Sequence, residues 1–129
     1  MSELSYDWSS KKLLIVEDDL FSTEYLVEAL AETKADIKIA KDGTTAIDFV
    51  KNNPDFDLIL MDIQLPGISG EEATKQIREF NKDIPIIAQT AHAMVKDKET
   101  YLASGCNDYL SKPILLTDLF DVLRKYLDN

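Results

Sequence analysis

Four short apolar runs constrain the fold of this 129-residue chain more than any other feature. They lie at residues 13–16, 37–40, 58–61 and 84–88, and a weaker fifth candidate lies at residues 107–110. Each is of strand length, and most lack polar alternation. Runs of this kind are typical of strands that are buried on both faces, as in a parallel sheet covered by helices.

The stretches between these runs carry apolar residues at helical spacing. The four predicted helical stripes are Phe21, Tyr25, Leu26, Ala29 and Leu30; Ala46, Ile47 and Val50; Ala73, Ile77 and Phe80; and Leu116, Leu119, Phe120, Leu123 and Leu127. A further helix over residues 94–103 has few apolar side chains and is predicted to be thinly anchored. The alternation predicts an α/β fold of five β-α units with right-handed crossovers.

The length suits one domain, which we place at residues 11–129 after an N-terminal tail at residues 1–10. Trp8 in that tail could instead pack back on the domain. The net charge of −10 disfavours direct nucleic-acid binding. No apolar run is long enough for a bilayer and no secretory signal is visible, so we expect a cytoplasmic domain without membrane contact.

Polar groups follow the ends of four predicted strands. They are Glu17, Asp18 and Asp19 after the first, Asp62 after the third, Gln89 and Thr90 after the fourth, and Ser111 and Lys112 after the fifth. In an open α/β sheet, ligands bind beyond these strand ends. Carboxylates gathered there repel one another by about 4 kcal/mol per pair at ~4 Å and an effective dielectric near 20. A hard cation such as Mg²⁺ would offset that repulsion.

Four of these residues also have a structural interpretation. Asp18 or Asp19 could cap the first helix, Asp62 could be a turn residue, and Thr90 could cap a helix. We assign the cap to Asp19. The coincidence of the others at successive strand ends favours a functional cluster.

Four segments resemble the receiver domain of two-component response regulators, the CheY-like superfamily, which also occurs in hybrid sensor histidine kinases. The segments are residues 13–18, 58–67, 85–91 and 105–113. The resemblance covers roughly residues 11–128. It implies a flavodoxin-like (βα)₅ fold, with a five-stranded parallel sheet in the order 2-1-3-4-5 flanked by five helices.

The resemblance also implies roles for the site residues. Asp62 would accept a phosphoryl group from a phosphohistidine of a histidine kinase or a histidine phosphotransfer domain. Mg²⁺, or Mn²⁺ in its place, would be held by Asp18, by Glu17 through water, by Asp62 and by the backbone carbonyl of Gln64. Lys112 would pair with Asp62 and then with the phosphoryl group.

Further roles concern the switch that follows phosphorylation. Thr90 would donate its hydroxyl to the phosphoryl group, and Tyr109 would be the aromatic switch residue. The side chains of Gln64 and His92 would tune the lifetime of the phosphoryl group. The bond between Lys112 and Pro113 would be cis.

The function that the sequence favours is a phosphoacceptor switch of a phosphorelay, not an enzyme beyond its own phosphotransfer and dephosphorylation. It would act as a stand-alone regulator or within a hybrid kinase, and a phosphorylation-dependent homodimer is a further expectation. One alternative is a degenerate receiver that serves as a binding scaffold. The other is an aspartate-nucleophile phosphohydrolase. That family has a second acidic residue two positions after the nucleophile, where this chain has Gln64.

Overall fold

The computed structural model describes residues 6–91 and 95–128, and these form alternating strands and helices. The elements are β1 (Lys12–Val16), α1 (Leu20–Leu30), β2 (Asp36–Ala40), α2 (Gly43–Asn52), β3 (Leu58–Asp62), α3 (Gly70–Arg78), β4 (Ile86–Thr90), α4 (Val95–Ala103), β5 (Asp108–Ser111) and α5 (Leu116–Leu127). All strand pairs are parallel and follow the order β2-β1-β3-β4-β5. The predicted flavodoxin-like fold is confirmed.

The observed β3 and β4 end later in the chain than the apolar runs that predicted them. β3 includes Asp62, and β4 runs from Ile86 to Thr90, two residues later at each end than predicted. The reason is the ladder, in which Asp62 pairs with Gln89 and Thr90 pairs with Ser111. These polar side chains therefore stand at the last positions of strands, where the pleat fixes their direction.

The core has two halves, one on each face of the sheet. Val16, Met61 and Ala88 point toward α2, α3 and α4, while Ile15 and Leu60 point toward α1 and α5. Because successive strand residues alternate between the faces, the next positions on β1 and β3 return to the side of α1 and α5. The same alternation places Gln89 on that side. The fold thus aligns polar residues of neighbouring strands in one row beyond the apolar core.

Several residues of the predicted helical stripes are exposed, so that part of the prediction was wrong. Phe21 is 81% exposed, and Tyr25, Phe80 and Leu116 are between 42% and 47% exposed. α1 buries Leu26 and Leu30 on the sheet side. Tyr25 faces the chain after β5 instead, where its hydroxyl donates to the carbonyl of Ile114 at 2.8 Å.

The N-terminal segment packs on the domain through Trp8. Its ring is buried and stacks with Tyr6 and Phe120 at centroid distances of 4.9 Å and 6.0 Å. Its indole N–H donates to Asp128 at 2.8 Å, and its backbone N–H donates to the carbonyl of Thr33. The packing alternative for Trp8 is confirmed, while the domain boundary at residue 11 stays a prediction.

α4 is the most exposed helix on its described side chains, residues 97–103, among which Tyr101 alone is buried. This agrees with the predicted thin anchoring. His92 lies outside the described residues. Within the described ranges, no helix is long and apolar enough to cross a membrane.

Candidate functional site

Three carboxylates converge at the ends of β1 and β3. Oxygens of Glu17, Asp18 and Asp62 all lie within 4.8 Å of one another. β1 and β3 are neighbours in register, which brings the residues after Val16 beside Asp62. Glu17 and Asp62 are 1% and 3% exposed, whereas Asp18 is exposed. The sequence-predicted acidic cluster therefore exists, with one member that solvent reaches.

Lys112 supplies a positive charge to this cluster from the end of β5. Its ammonium lies 2.9 Å from Glu17 Oε1 and 3.3 Å from Asp62 Oδ2. The predicted pairing with Asp62 is present, but the shorter contact is to Glu17. The peptide bond between Lys112 and Pro113 is cis, as predicted. With all four groups ionised, the site carries a net charge of −2.

The pKa values of two site groups reflect burial and this ion pairing. Burial raises the pKa of Glu17 above its usual value. The hydrogen bond from Lys112 opposes this rise, and the nearby Asp62 adds to it. Burial alone would lower the pKa of Lys112, but its hydrogen bond to Glu17 and the charge of Asp62 raise that pKa overall. The ammonium is therefore held in its charged form beside the carboxylates.

Backbone amides orient the two buried carboxylates. The N–H of Asp19 donates to Glu17 Oε2 at 3.2 Å, and the N–H of Gln64 donates to Asp62 Oδ1 at 3.1 Å. Asp19 itself caps α1, since its side chain accepts from the N–H of Ser22 at 2.9 Å. The cap interpretation of Asp19 is confirmed. The Gln64 carbonyl belongs to the turn that adjoins Asp62, and its role as a metal ligand stays a prediction.

Thr90 lies at the end of β4 and is 1% exposed. Its hydroxyl is 3.0 Å from the hydroxyl of Tyr101 on α4, and either group could be the donor. Tyr109 on β5 is half-buried against the half of the core that packs under α2, α3 and α4. The ammonium of Lys98 lies 5.3 Å from its ring centroid. Its switch role stays a prediction.

Tyr101 was missed as a site residue by sequence reasoning. The available signal was its position as the largest apolar side chain on a helix with few others. A pattern of this kind indicates an anchor to the core, but it does not reveal which hydroxyl the tyrosine meets. Only the packing of α4 against β4 brings the two hydroxyl groups together.

Sequence reasoning placed Gln89 at a strand end but did not predict that its side chain is buried beside the site. Its side chain is fully buried, and neither its amide nitrogen nor its amide oxygen has a hydrogen-bond partner among the groups that the structure describes. It lies in the lining of a groove of about 690 Å³ between α1 and the segment after β5. Phe21, Tyr25 and Leu115 form the apolar walls of the groove, and Lys112 joins it to the acidic cluster.

The donor set fits a hard divalent cation. It consists of carboxylate oxygens, with net negative charge left after Lys112 is counted. Mg²⁺ and related ions prefer oxygen ligands, and the exposure of Asp18 leaves room for water ligands. A buried carboxylate next to an ammonium and a cation site can also take part in phosphoryl transfer, which depends on positioning and charge neutralisation.

Comparison with known proteins gives consistent results. The family model described as the response regulator receiver domain matches residues 13–124. A curated relative, hybrid signal transduction histidine kinase I of Dictyostelium discoideum, is 43% identical over 92% of this chain. The chain spans only 8% of that relative's length.

Two solved structures are similar over nearly the whole chain. One is the receiver domain of Ssk1 in complex with the histidine phosphotransfer protein Ypd1 of Saccharomyces cerevisiae, with a TM-score of 0.87 and 36% identity over 97% of this chain and 92% of that one. The other is the receiver domain of the sensor histidine kinase PA1611 of Pseudomonas aeruginosa, with magnesium in its active-site cleft. It has a TM-score of 0.84 and 33% identity, and it covers 92% of this chain and 98% of that one.

Proposed function

The chain belongs to the response regulator receiver domain family, and from this premise we propose that Asp62 is its phosphoacceptor. The observation that carries the proposal is the convergence of Glu17, Asp18 and Lys112 on the Asp62 carboxylate. Receiver domains are signalling modules of response regulators and hybrid kinases, and a phosphoacceptor role fits this site.

In the proposed reaction, an oxygen of Asp62 forms a bond to phosphorus while the bond from phosphorus to the donor's imidazole nitrogen breaks. The electron pair of that bond stays on the imidazole, which takes up a proton. The amide of Gln64 and the ammonium of Lys112 orient the carboxylate. Lys112 also neutralises phosphoryl charge, which is the main requirement of such a transfer.

The acidic cluster would hold the metal ion. Glu17, Asp18, Asp62 and the Gln64 carbonyl are the proposed ligands for Mg²⁺ or Mn²⁺. When bound, the ion supplies positive charge that offsets both the carboxylates and the phosphoryl oxygens. The hydroxyl of Thr90 then donates to a phosphoryl oxygen, and the new charge changes the conformation of the surrounding segments.

The surface beside the site supports a protein donor of the phosphoryl group. Leu20, Phe21, Leu115 and Leu116 are exposed apolar residues on α1 and around the start of α5. A patch of this kind next to a reactive cleft is typical of a docking surface. We therefore propose a histidine phosphotransfer domain or histidine kinase as the partner.

The intact set of reactive groups favours this function over the alternatives. A scaffold would not require Asp18, Thr90 and Lys112 together beside Asp62. A phosphohydrolase of this type would need an acidic residue two positions after its nucleophile, and this chain has Gln64 there.

The proposal is tested by labelling the chain with acetyl phosphate and measuring the intact mass. With Mg²⁺ we expect the gain of one phosphoryl group, and with a chelator no gain. Asp62→Asn should abolish labelling, while Asp55→Asn, a change at an exposed carboxylate far from the site, should leave it unchanged. Equal labelling of Asp62→Asn and the wild type would overturn the assignment.

A further inference from the structure

A buried hydrogen bond joins the site to α4. Thr90 Oγ1 and the Tyr101 hydroxyl lie 3.0 Å apart, and the two residues are 1% and 5% exposed. A buried hydrogen bond contributes more to the choice between conformations than an exposed one, because water does not readily replace the lost partner. The position of the Thr90 hydroxyl is therefore coupled to the position of Tyr101.

Tyr101 is also the described side chain that anchors α4. Among residues 97–103 it alone is buried, and it belongs to the half of the core beneath α2, α3 and α4. The hydroxyl of Ser104, also buried, donates to the Tyr101 carbonyl at 2.8 Å and fixes the end of the helix. The same ring thus holds the helix on the sheet and presents its hydroxyl to Thr90.

The proposed reaction conflicts with this bond. After phosphorylation, Thr90 is to donate its hydroxyl to a group on Asp62, which lies on the neighbouring strand β3. The Thr90 hydroxyl has a single proton, so a Thr90 that donates to the phosphoryl group no longer donates to Tyr101. An interaction that is made in one conformation and lost in the other shifts the equilibrium by its own free energy.

We propose that Tyr101 is a positioning residue for phosphorylation: its hydroxyl holds Thr90 in the resting position, and release of this bond frees α4 when Asp62 carries a phosphoryl group. The inference rests on the proposed roles of Asp62 and Thr90. It adds a second tyrosine to the switch, on α4, beside the Tyr109 that the family resemblance implies on β5.

Tyr101→Phe tests the proposal, because it removes the hydroxyl and keeps the ring. The probe is beryllofluoride, a phosphoryl mimic, titrated with Mg²⁺ and followed by calorimetry. We expect the apparent Kd to fall by about two- to tenfold, the range that one net hydrogen bond allows. The melting temperature of the free variant should fall, while at saturating beryllofluoride it should equal that of the wild type.

A purely structural role predicts a different pattern. The melting temperature would then fall with and without beryllofluoride, and the Kd would not decrease. The matched control is Tyr126→Phe, which removes a hydroxyl from a tyrosine on α5, on the other face of the sheet, where it donates to the Asn107 carbonyl at 3.2 Å. This variant should leave the Kd at the wild-type value. An equal fall in Kd for Tyr126→Phe and Tyr101→Phe, or no fall for Tyr101→Phe, would overturn the inference.

The experiment separates the two levels of the argument. A wild-type chain that binds beryllofluoride while Tyr101→Phe has the same Kd refutes the role of Tyr101 and leaves the proposed function standing. A wild-type chain that does not bind beryllofluoride in the presence of Mg²⁺ refutes both.

Discussion

Asp18→Asn should stabilise the metal-free protein while it removes the response to Mg²⁺. Oxygens of Glu17, Asp18 and Asp62 lie within 4.8 Å of one another. At that separation two like charges cost about 3.5 kcal/mol at an effective dielectric of about 20, and about 0.9 kcal/mol in water. Asp18 is exposed, so its repulsion lies between these limits, and Lys112 offsets part of it.

We expect the free energy of unfolding of the metal-free protein to rise by about 1–2 kcal/mol in Asp18→Asn. For a domain of this size that is a rise in melting temperature of about 3–8 °C. The rise should shrink at high salt, because ions screen an exposed charge. Phosphorylation of Asp62 should be lost, since a proposed metal ligand is missing.

The assay is thermal unfolding followed by circular dichroism, first in a chelator at low salt and then with Mg²⁺. Wild-type protein should gain about 1.4 kcal/mol at a tenfold excess of Mg²⁺ over its Kd, and Asp18→Asn should gain far less. The control is Asp36→Asn, an exposed aspartate at the start of β2, at the opposite end of the sheet. A melting temperature of Asp18→Asn at or below wild type in chelator would refute the electrostatic reasoning.

Two further predictions concern the turn after β3 and the docking surface. A Cβ on Gly70 would lie 2.8 Å from the Cα of Ile63 and against the Asp62 carbonyl, so Gly70→Ala should cost about 1–3 kcal/mol and slow labelling by acetyl phosphate. Gly43→Ala, which crowds only side chains, should cost stability in denaturant unfolding without slowing labelling. Phe21→Ala should leave labelling by acetyl phosphate unchanged but slow the transfer that we propose from a histidine phosphotransfer protein, measured with phosphorylated Ypd1 as a test donor. Equal transfer rates would exclude α1 from the proposed docking surface.

Much of the fold and the location of the site could be predicted from the sequence. Fully buried strands need uninterrupted apolar runs, and the runs around Ile15, Leu60 and Ile87 therefore mark β1, β3 and β4. Since parallel strands bring their carboxyl ends to one edge, Asp62 and Lys112 were expected at the same edge of the sheet. Their pairing was implied by the family resemblance.

Exposed and half-exposed surfaces were harder to predict. Phe21 and Leu116 fit a helical stripe by spacing alone, yet they face solvent beside the groove. Spacing tells which residues share a helix face, but not how far the neighbouring elements extend over that face. Trp8, by contrast, lies in a polar segment and is nevertheless buried. Its burial depends on α5, more than a hundred residues later in the chain.

The amino-acid order by itself determined which chemical groups stand at the strand ends, because burial and periodicity are local properties of a chain. The tertiary structure alone decided their partners: Lys112 lies nearer to Glu17 than to Asp62, Gln89 is buried without a partner among the described groups, and Thr90 meets Tyr101. These pairings join separate elements through side-chain rotamers and differences of a few tenths of an ångström. Such distances are set by how the whole core packs, and no local pattern encodes them.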